Sequence, residues 1–218
     1  ENRLEEAYEV SQSTNNFPEI CGSICPQDRL CEGNCVIEKG FESVTIGRVE
    51  KHITDTAWKK GWIKPIKPIK EINKSIGIIG SGPAGLAAAE QLRKKGYKVE
   101  IYDRYDRPGG LLIYGIPNFK LEKYAVERRT QILKKGGIVF HNNFEIGKTK
   151  SFNFLRKKHD AILIATGVYK ARELDFSEEN LGVIVPALDF LITSNKKGLG
   201  DNVPEFDNGK LNSINKNI

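Results

Sequence analysis

Residues 76–103 read IGIIGSGPAGLAAAEQLRKKGYKVEIYD, and this stretch decides the fold of the chain. A short apolar strand, predicted over residues 75–79, runs directly into a glycine-rich loop. A helix rich in Ala and Leu follows over residues 86–95, and a second strand is predicted over residues 98–102. Such a strand–helix–strand unit belongs to a parallel sheet, so the sequence predicts an α/β fold.

The glycine-rich loop has the spacing G-x-G-x-x-G, which is typical of Rossmann-like dinucleotide-binding domains when a strand precedes it and a helix follows. Gly80 permits the tight turn, Gly82 lets a pyrophosphate approach the backbone, and Gly85 lets the helix pack close to the sheet. The N-terminus of the helix that follows supplies free N–H groups and the positive end of the helix dipole, which favour phosphates.

Asp103 stands 18 residues after Gly85, where a carboxylate can accept hydrogen bonds from ribose hydroxyls. The same acid disfavours a 2′-phosphate, and therefore NADP, at this site. A strand–turn–helix with a purely structural role would need neither the glycine spacing nor the acid at this distance, so we favour dinucleotide binding. NAD and FAD share the fingerprint, and the loop alone leaves both open.

Two further segments favour a flavin. Gly110 closes a double-glycine pair seven residues after Asp103, and Ala165, Thr166 and Gly167 follow a later predicted strand. This arrangement resembles flavoproteins with two dinucleotide-binding domains. The resemblance implies that the double-glycine loop lies near the flavin and that the second segment passes its pyrophosphate.

All four cysteines lie within fifteen residues, with the spacing Cys21-x3-Cys25-x5-Cys31-x3-Cys35. Zinc sites usually pair cysteines across a longer loop, which this spacing does not match. Disulfides would require an oxidising compartment that nothing else in the sequence indicates. Iron–sulfur clusters are bound by thiolates on irregular loops, often beside a Cys-Pro pair such as Cys25-Pro26, so we favour them over zinc.

The chain divides into a helical unit over residues 1–63, a Lys- and Pro-rich linker over 64–74, and a Rossmann-like unit over 75–218. In the first unit, helices are predicted over residues 2–13 and 45–60, with the cysteines mostly on a loop between them. Ile46, Val49, Ile53 and Ala57 form the predicted inward stripe of the second helix. Later elements are predicted as a helix over 122–135, a strand over 138–141 and a buried strand over 161–165.

The composition is that of an ordinary globular chain of 218 residues, with 28% charged residues and a formal net charge of +6. No stretch approaches the roughly 20 apolar residues that a membrane span needs. Because basic residues are interleaved with acids, we expect no nucleic-acid partner. We expect a cytoplasmic protein. The chain contains no methionine and starts with Glu1, so we expect it to be a fragment.

Four stretches together resemble one family. They are NNFPEICGSICPQDRLCEGNC (15–35), VTIGRVEKHITDTAWKKGW (44–62), the glycine-rich stretch (76–103) and PGGLLIYGIPNFKL (108–121). They are similar to the small subunits of bacterial NADPH-dependent glutamate synthases. The likeness extends to the N-terminal iron–sulfur and flavin region of dihydropyrimidine dehydrogenase and to related electron-transfer subunits.

The resemblance implies an α-helical iron–sulfur domain followed by an incomplete Rossmann-like FAD-binding domain. Cys25 and Cys31 would be ligands of one [4Fe-4S] cluster, completed by a side-chain oxygen of Glu50. Cys35 would be a ligand of the other cluster, and Cys21 matches a position that need not be a ligand. The remaining cluster cysteines and the NADPH domain are expected outside this chain.

For FAD, the resemblance implies contacts with the glycine-rich loop, Asp103, the double-glycine loop, the strand end near the adenine, and the later flavin segment. These residues are Gly80, Gly82, Pro83, Ala84, Gly85, Asp103, Gly110, Leu111, Leu112, Ile146, Ala165, Thr166 and Gly167.

The implied function is electron transfer from NADPH through FAD and [4Fe-4S] clusters to a glutamate synthase large subunit, which makes glutamate from glutamine and 2-oxoglutarate. Two alternatives remain at this point. The chain could serve a different pyrimidine- or ferredoxin-linked reductase, or it could be a truncated, non-catalytic remnant.

Overall fold

The structure is a computed structural model that describes residues 3–172 and 184–214. Its first part is helical: two helices and a 3₁₀ turn carry or flank the cysteine segment, and a longer helix packs against them. These elements are α1 (Leu4–Thr14), α2 (Pro18–Ile24), the 3₁₀ turn (Gln27–Arg29) and α3 (Ile46–Lys60).

The second part is built on a parallel sheet of four strands in the order β3-β2-β1-β4. Its strands are β1 (Ser75–Ile79), β2 (Lys98–Tyr102), β3 (Val139–His141) and β4 (Ala161–Ile164). Its helices are α4 (Pro83–Lys94), α5 (Leu111–Tyr114), α6 (Lys123–Lys135), α7 (Phe152–Lys158), α8 (Ala187–Gly198) and α9 (Pro204–Asp207). The predicted α/β, Rossmann-like class is confirmed.

The predicted elements up to β4 match the observed ones closely. Strands β1 and β2 have the predicted bounds, whereas α4 begins at Pro83, three residues earlier than predicted. The helix predicted over residues 2–13 is observed as α1, although residue 2 lies outside the described residues. Helices α2, α5, α7, α8 and α9 were not predicted because each is short or follows a weakly periodic segment. The segments 173–183 and 215–218 of the predicted second domain also lie outside the described residues.

The strand predicted over residues 161–165 is observed as β4, but the prediction that it is buried is wrong. Ile164 of β4 is 64% exposed and Leu163 is 39% exposed. Among the described strands, β4 pairs only with β1, so it lies at an edge of the sheet. An apolar run predicts a strand with two covered faces, but the sequence does not indicate which position in the sheet that strand takes.

The predicted inward stripe of α3 is also wrong in part. Val49 is 47% exposed, whereas Gly47, Thr54 and Ala57 are buried. A Cβ on Gly47 would clash with Gln27, and a Cβ on Gly22 of α2 would clash with the Gly47 carbonyl oxygen. The two helices therefore approach each other through glycines, which a hydrophobic pattern cannot indicate. Cys21 also lies within α2 and not on a loop.

The helical part and the sheet share one hydrophobic core. Phe17 and Ile20, at the start of α2, belong to the same buried cluster as Ile78 of β1 and Leu86 of α4. The segment 64–74 runs between them without forming a helix or a strand, and the Ile72 amide donates to the Gly96 carbonyl oxygen at 2.8 Å. In the part of the chain that the structure describes, no helix is long and apolar enough to cross a membrane.

Candidate functional site

The glycine-rich loop is a rigid turn between β1 and α4, and two of its glycines are required by the fold itself. Gly80 has φ +105°, and a Cβ there would clash with the Ala165 carbonyl oxygen. A Cβ on Gly85 would clash with the Gly80 carbonyl oxygen. These two positions therefore exclude larger residues whether or not a ligand binds.

Gly82 differs from both of these glycines. Its backbone has φ −67° and ψ −179°, which any residue can adopt. An added Cβ would have no atom of the described residues within 4 Å, so none of them requires glycine at this position. Gly82 caps α4 and has no side-chain capping bond, while Pro83 and Ala84 form the first turn. The helix start thus faces open space, which is the arrangement that lets a phosphate approach the backbone.

Asp103 holds the loop in place. Its buried Oδ2 accepts hydrogen bonds from the Ser81 amide at 2.6 Å and from the Ser81 hydroxyl at 2.5 Å. Its Oδ1 accepts one from the Tyr105 amide at 2.9 Å. A carboxylate has about four acceptor sites, so one remains for a ribose hydroxyl. Sequence reasoning identified Asp103 as a ligand contact but missed Ser81, because a serine inside the fingerprint has no signal of its own.

A cleft of about 360 Å³ opens at the carboxyl ends of β1 and β2. Crevices at this end of a parallel sheet are where α/β proteins bind ligands. The structure brings five predicted residues together along this cleft: Gly80, Asp103, Ile146, Thr166 and Gly167. Ala165 lies beside them, since its carbonyl oxygen contacts Gly80.

The double-glycine loop lies against the glycine-rich loop. The Gly109 amide donates to the Ser81 carbonyl oxygen at 2.9 Å, and a Cβ on Gly110 would lie 2.8 Å from the Gly82 Cα. Gly110 begins α5, in which Leu111 is 40% exposed and Leu112 is buried. Leu112 therefore packs into the protein, whereas Leu111 is free to contact a ligand.

Arg104 is a cleft residue that the sequence did not identify. Its guanidinium carbon lies 4.2 Å from the centre of the Tyr169 ring and 5.0 Å from that of Tyr105. All three side chains line the cleft, beside Asp103. A guanidinium that lies over two neighbouring aromatic rings offers a flat surface for a base and a positive charge for phosphate.

A hydrogen-bonded cluster lies behind the cleft, on the face of the sheet that α7 covers. Glu100 Oε2 is bonded to Lys158 Nζ at 2.5 Å, to His141 Nε2 at 2.6 Å and to the Tyr102 hydroxyl at 3.0 Å. Burial alone would raise the pKa of Glu100, but these hydrogen bonds lower it to about 2. The cluster fixes Tyr102, which also lines the cleft.

Lys123 is a buried cation at the start of α6. Its Nζ donates to the Leu112 carbonyl oxygen at 3.2 Å and also to that of Ile116. No carboxylate pairs with it among the described ion pairs, and burial lowers the pKa of Lys123 to about 8. The lysine thereby fixes the turn that follows the double-glycine loop.

The cysteine segment supplies thiols of different exposure. Cys25 and Cys31 are exposed, whereas Cys21 and Cys35 are half-buried. Burial raises the pKa of Cys21, and backbone N–H groups of Val44 and Ile37 lower the pKa of Cys35. Thiolates are the ligands that iron–sulfur clusters take, so the donor chemistry fits. Within the described residues, however, no three Cys, His or acidic side chains are arranged to hold a metal ion.

Glu50 is half-buried on the inward face of α3, between Gly47 and Thr54. Its charge acts on the thiol of Cys21, as does the neighbouring Cys25. Glu50 thus shares the inward face of α3 with Gly47, which packs against Gly22 of α2, and with Thr54, whereas Val49 is exposed.

Each of the two parts of the chain matches a different protein family. Residues 1–62 match the family described as dihydropyrimidine dehydrogenase domain II, 4Fe-4S cluster, and residues 78–142 match the NAD(P)-binding Rossmann-like domain. The structure of Mycobacterium tuberculosis FprA in complex with NADPH is similar in fold over 59% of this chain and 29% of its own, with a TM-score of 0.51 and 24% identity. The first part of the chain is thus similar to an iron–sulfur domain, and the second part has a Rossmann-like fold and is similar to dinucleotide-binding domains.

Comparison of the whole chain with curated proteins confirms the resemblance to glutamate synthase small subunits. The chain is 63% identical over its full length to the glutamate synthase [NADPH] small chain of Azospirillum brasilense, covering 45% of that protein. It is 42% identical to the Escherichia coli small chain, with 92% of this chain and 42% of that protein covered. The chain spans about half the length of the curated relatives it matches.

Proposed function

We propose that this chain binds FAD in the cleft at the carboxyl ends of β1 and β2, and that its cysteine segment supplies ligands to [4Fe-4S] clusters. The cleft carries the proposal, because Gly80 of the glycine-rich loop, Asp103, Thr166 and Gly167 line it together. The open space in front of Gly82, at the start of α4, supports it. The identity with glutamate synthase small chains supports the choice of FAD and clusters.

The protein's own contribution is to bind and orient these groups. The helix start at Gly82 and Pro83 receives the pyrophosphate, and the remaining acceptor site of Asp103 receives a ribose hydroxyl. Arg104 and Tyr169 form the wall next to that ribose. Bound flavin exchanges one or two electrons, which allows it to connect a hydride donor to one-electron clusters.

Cys25, Cys31 and Glu50 are the proposed ligands of one cluster, and Cys35 is a proposed ligand of the other. Cys21 lies within reach of Cys25 and Glu50 but need not be a ligand. In the complete system, NADPH supplies the electrons, and a glutamate synthase large subunit uses them to form glutamate from glutamine and 2-oxoglutarate. The names of the relatives support NADPH as the donor and imply the large-subunit partner.

Anaerobic purification tests the cofactor assignment directly. We expect a flavin absorption band that stays with the protein through gel filtration, and iron that elutes in the same fractions. Denaturing the protein should release about one FAD per chain into the supernatant. Absence of both flavin and iron after reconstitution would contradict the proposal.

Co-expression tests the partner. We expect the chain, in its holo-protein, to co-purify with a glutamate synthase large subunit and to support NADPH-dependent glutamate formation from glutamine and 2-oxoglutarate. Binding of FAD and iron without any association with a large subunit would retain the cofactor assignment and reject the partner.

A further inference from the structure

A buried ion pair connects the helical part of the chain to the Rossmann-like part. Arg129 Nη2 donates to both carboxylate oxygens of Glu19, at 2.7 and 2.8 Å. Both residues are only 1% exposed. The Trp58 indole N–H donates to Glu19 Oε1 at 3.1 Å, and the Arg129 guanidinium lies 5.2 Å from the centre of the Trp58 ring.

The pair joins the two helices that lie next to or carry proposed cluster ligands, since α2 leads directly into Cys25 and α3 carries Glu50. Glu19 lies on α2, two residues before Cys21, and Trp58 lies on α3, the helix that carries Glu50. Arg129 lies on α6, which belongs to the Rossmann-like part. A single guanidinium therefore contacts both Glu19 of α2, the helix that leads into Cys25, and Trp58 of α3.

The same helix α6 also holds the double-glycine loop. Lys123 Nζ donates to the Leu112 carbonyl oxygen, and the Val126 side chain would lie 2.9 Å from a Cβ on Gly109. Arg129 follows six residues after Lys123, which corresponds to about 9 Å along the helix axis. One rigid helix thus contacts the loop next to the cofactor cleft at its start and the cysteine-bearing helix at its middle.

A buried ion pair is a poor source of stability but a strong source of orientation. Removing both charges often costs a protein little stability, because each charge loses its hydration on burial. A bidentate guanidinium–carboxylate contact, by contrast, accepts a narrow range of geometries. The pair is therefore suited to fixing the position of α2 relative to α6.

We propose that Glu19 and Arg129 are positioning residues that fix the cysteine segment relative to the double-glycine loop, and so set the rate at which electrons pass between the flavin and the cluster. The electron-transfer part rests on the proposed function. The positioning part depends on the structure alone.

Four variants of the holo-protein test the proposal. Glu19→Gln and Arg129→Met each break the pair, and the double variant removes both charges so that neither is left buried alone. Leu133→Ala, on the same helix and in the core, is the control, since it weakens packing without removing the pair. Hydrogen exchange reports the docking of α2, and stopped-flow absorbance separates flavin reduction by NADPH from subsequent electron arrival at the cluster.

We expect the α2 amides of the pair variants to exchange at least about tenfold faster while the β2 amides stay unchanged, because opening is local to the contact. Flavin reduction should keep its rate, and electron arrival at the cluster should slow by about tenfold or more, since small displacements have large effects on rates. Leu133→Ala should show no such split between the two steps.

Three results would overturn the positioning role. The first is that the α2 amides exchange at the wild-type rate in both single variants. The second is that the double variant keeps both the wild-type exchange rate and the wild-type rate of electron arrival at the cluster. The third is that electron arrival at the cluster slows as much in Leu133→Ala as in the pair variants. Wild-type protein that lacks flavin and iron would refute the proposed function instead, and the exchange comparison would still decide the positioning role.

Discussion

Gly82 provides a direct way to separate the requirements of the fold from those of the ligand. We consider the substitution Gly82→Ala. The backbone at this position is ordinary, and a methyl group would meet no protein atom within 4 Å. It would project into the space in front of the first turn of α4, where a pyrophosphate would lie.

The free energy of unfolding should therefore change little. Replacing Gly by Ala at a compatible position gains about 0.4–1 kcal/mol by restricting the unfolded chain. Ala is a poorer helix N-cap than Gly, which offsets this gain by up to about 1 kcal/mol. Affinity for FAD should fall, because forcing a methyl group into an occupied contact costs about 1–3 kcal/mol, which corresponds to a factor of about 5–150 in Kd.

Gly80→Ala is the matched control within the same loop. Gly80 has φ +105°, and its Cβ would clash with the Ala165 carbonyl oxygen. We expect this variant to lose stability by about 1–3 kcal/mol or more, since a strained backbone adds to the clash. Urea unfolding of the apo-protein and FAD titration followed by flavin fluorescence measure the two quantities.

The pattern across the two variants decides the interpretation. If Gly82→Ala binds FAD as tightly as the wild type, the pyrophosphate does not approach this residue and the assignment of the cleft fails. If Gly82→Ala unfolds as readily as Gly80→Ala, the open space in front of α4 does not exist.

Three further predictions follow from the same contacts. The pKa of Glu100 lies near 2 in the folded protein, below its unfolded value, so the free energy of unfolding should fall as the pH drops from about 4.5 towards 2. Glu100→Gln should remove most of this pH dependence in acid unfolding curves. An unaltered pH dependence would contradict the hydrogen-bonded cluster around Glu100. The pKa of Lys123 lies near 8, below the usual lysine value of about 10.4, so the unfolded chain binds more protons than the folded protein between these pH values. The free energy of unfolding should therefore rise with pH across that window. Lys123→Met should flatten this rise, as measured by urea unfolding at pH 8–10, and an equally steep rise in the variant would argue against a buried Lys123 ammonium. Cys31→Ser should lower the iron-to-protein ratio while Cys21→Ser lowers it less, as measured by iron analysis after anaerobic reconstitution; an equal ratio in both variants and wild type would refute the role of Cys31 as a ligand.

Much of the Rossmann-like part could be predicted because its signals are local. The strand bounds at 75–79 and 98–102 follow from short apolar runs ended by glycine or an acid. The glycine spacing fixes the turn, since only glycine tolerates the positive φ of Gly80 and the close approach at Gly85. These features depend on neighbouring residues and not on distant ones.

The features that could not be predicted depend on tertiary contacts. The exposure of Ile164 follows from the edge position of β4, and the inward face of α3 follows from glycine contacts between helices. The hydrogen bonds from Ser81 to Asp103 join residues 22 positions apart. The Glu19–Arg129 pair joins residues 110 positions apart, and no sequence pattern relates them.

The assignment of ligand roles in the cysteine segment still rests on the resemblance. Cys25 and Cys31 were expected at one cluster, and the structure leaves both exposed without arranging three ligands around a common point among the described residues. Spacing identifies which thiols are available. It does not determine how an irregular loop folds around an inorganic cluster, because the cluster itself contributes most of the bonds that would order the loop.

The edge strand β4 has a consequence for handling the protein. Its apolar side chains are exposed, and on the side away from β1 no described strand takes up its backbone N–H and C=O groups. Natural sheets usually protect such an edge with charges, prolines or a covering segment, because an open apolar edge recruits the same strand of another molecule. We therefore expect Ile164→Lys, which places a charge on this edge, to lower concentration-dependent self-association measured by light scattering; unchanged scattering would contradict a role of the edge.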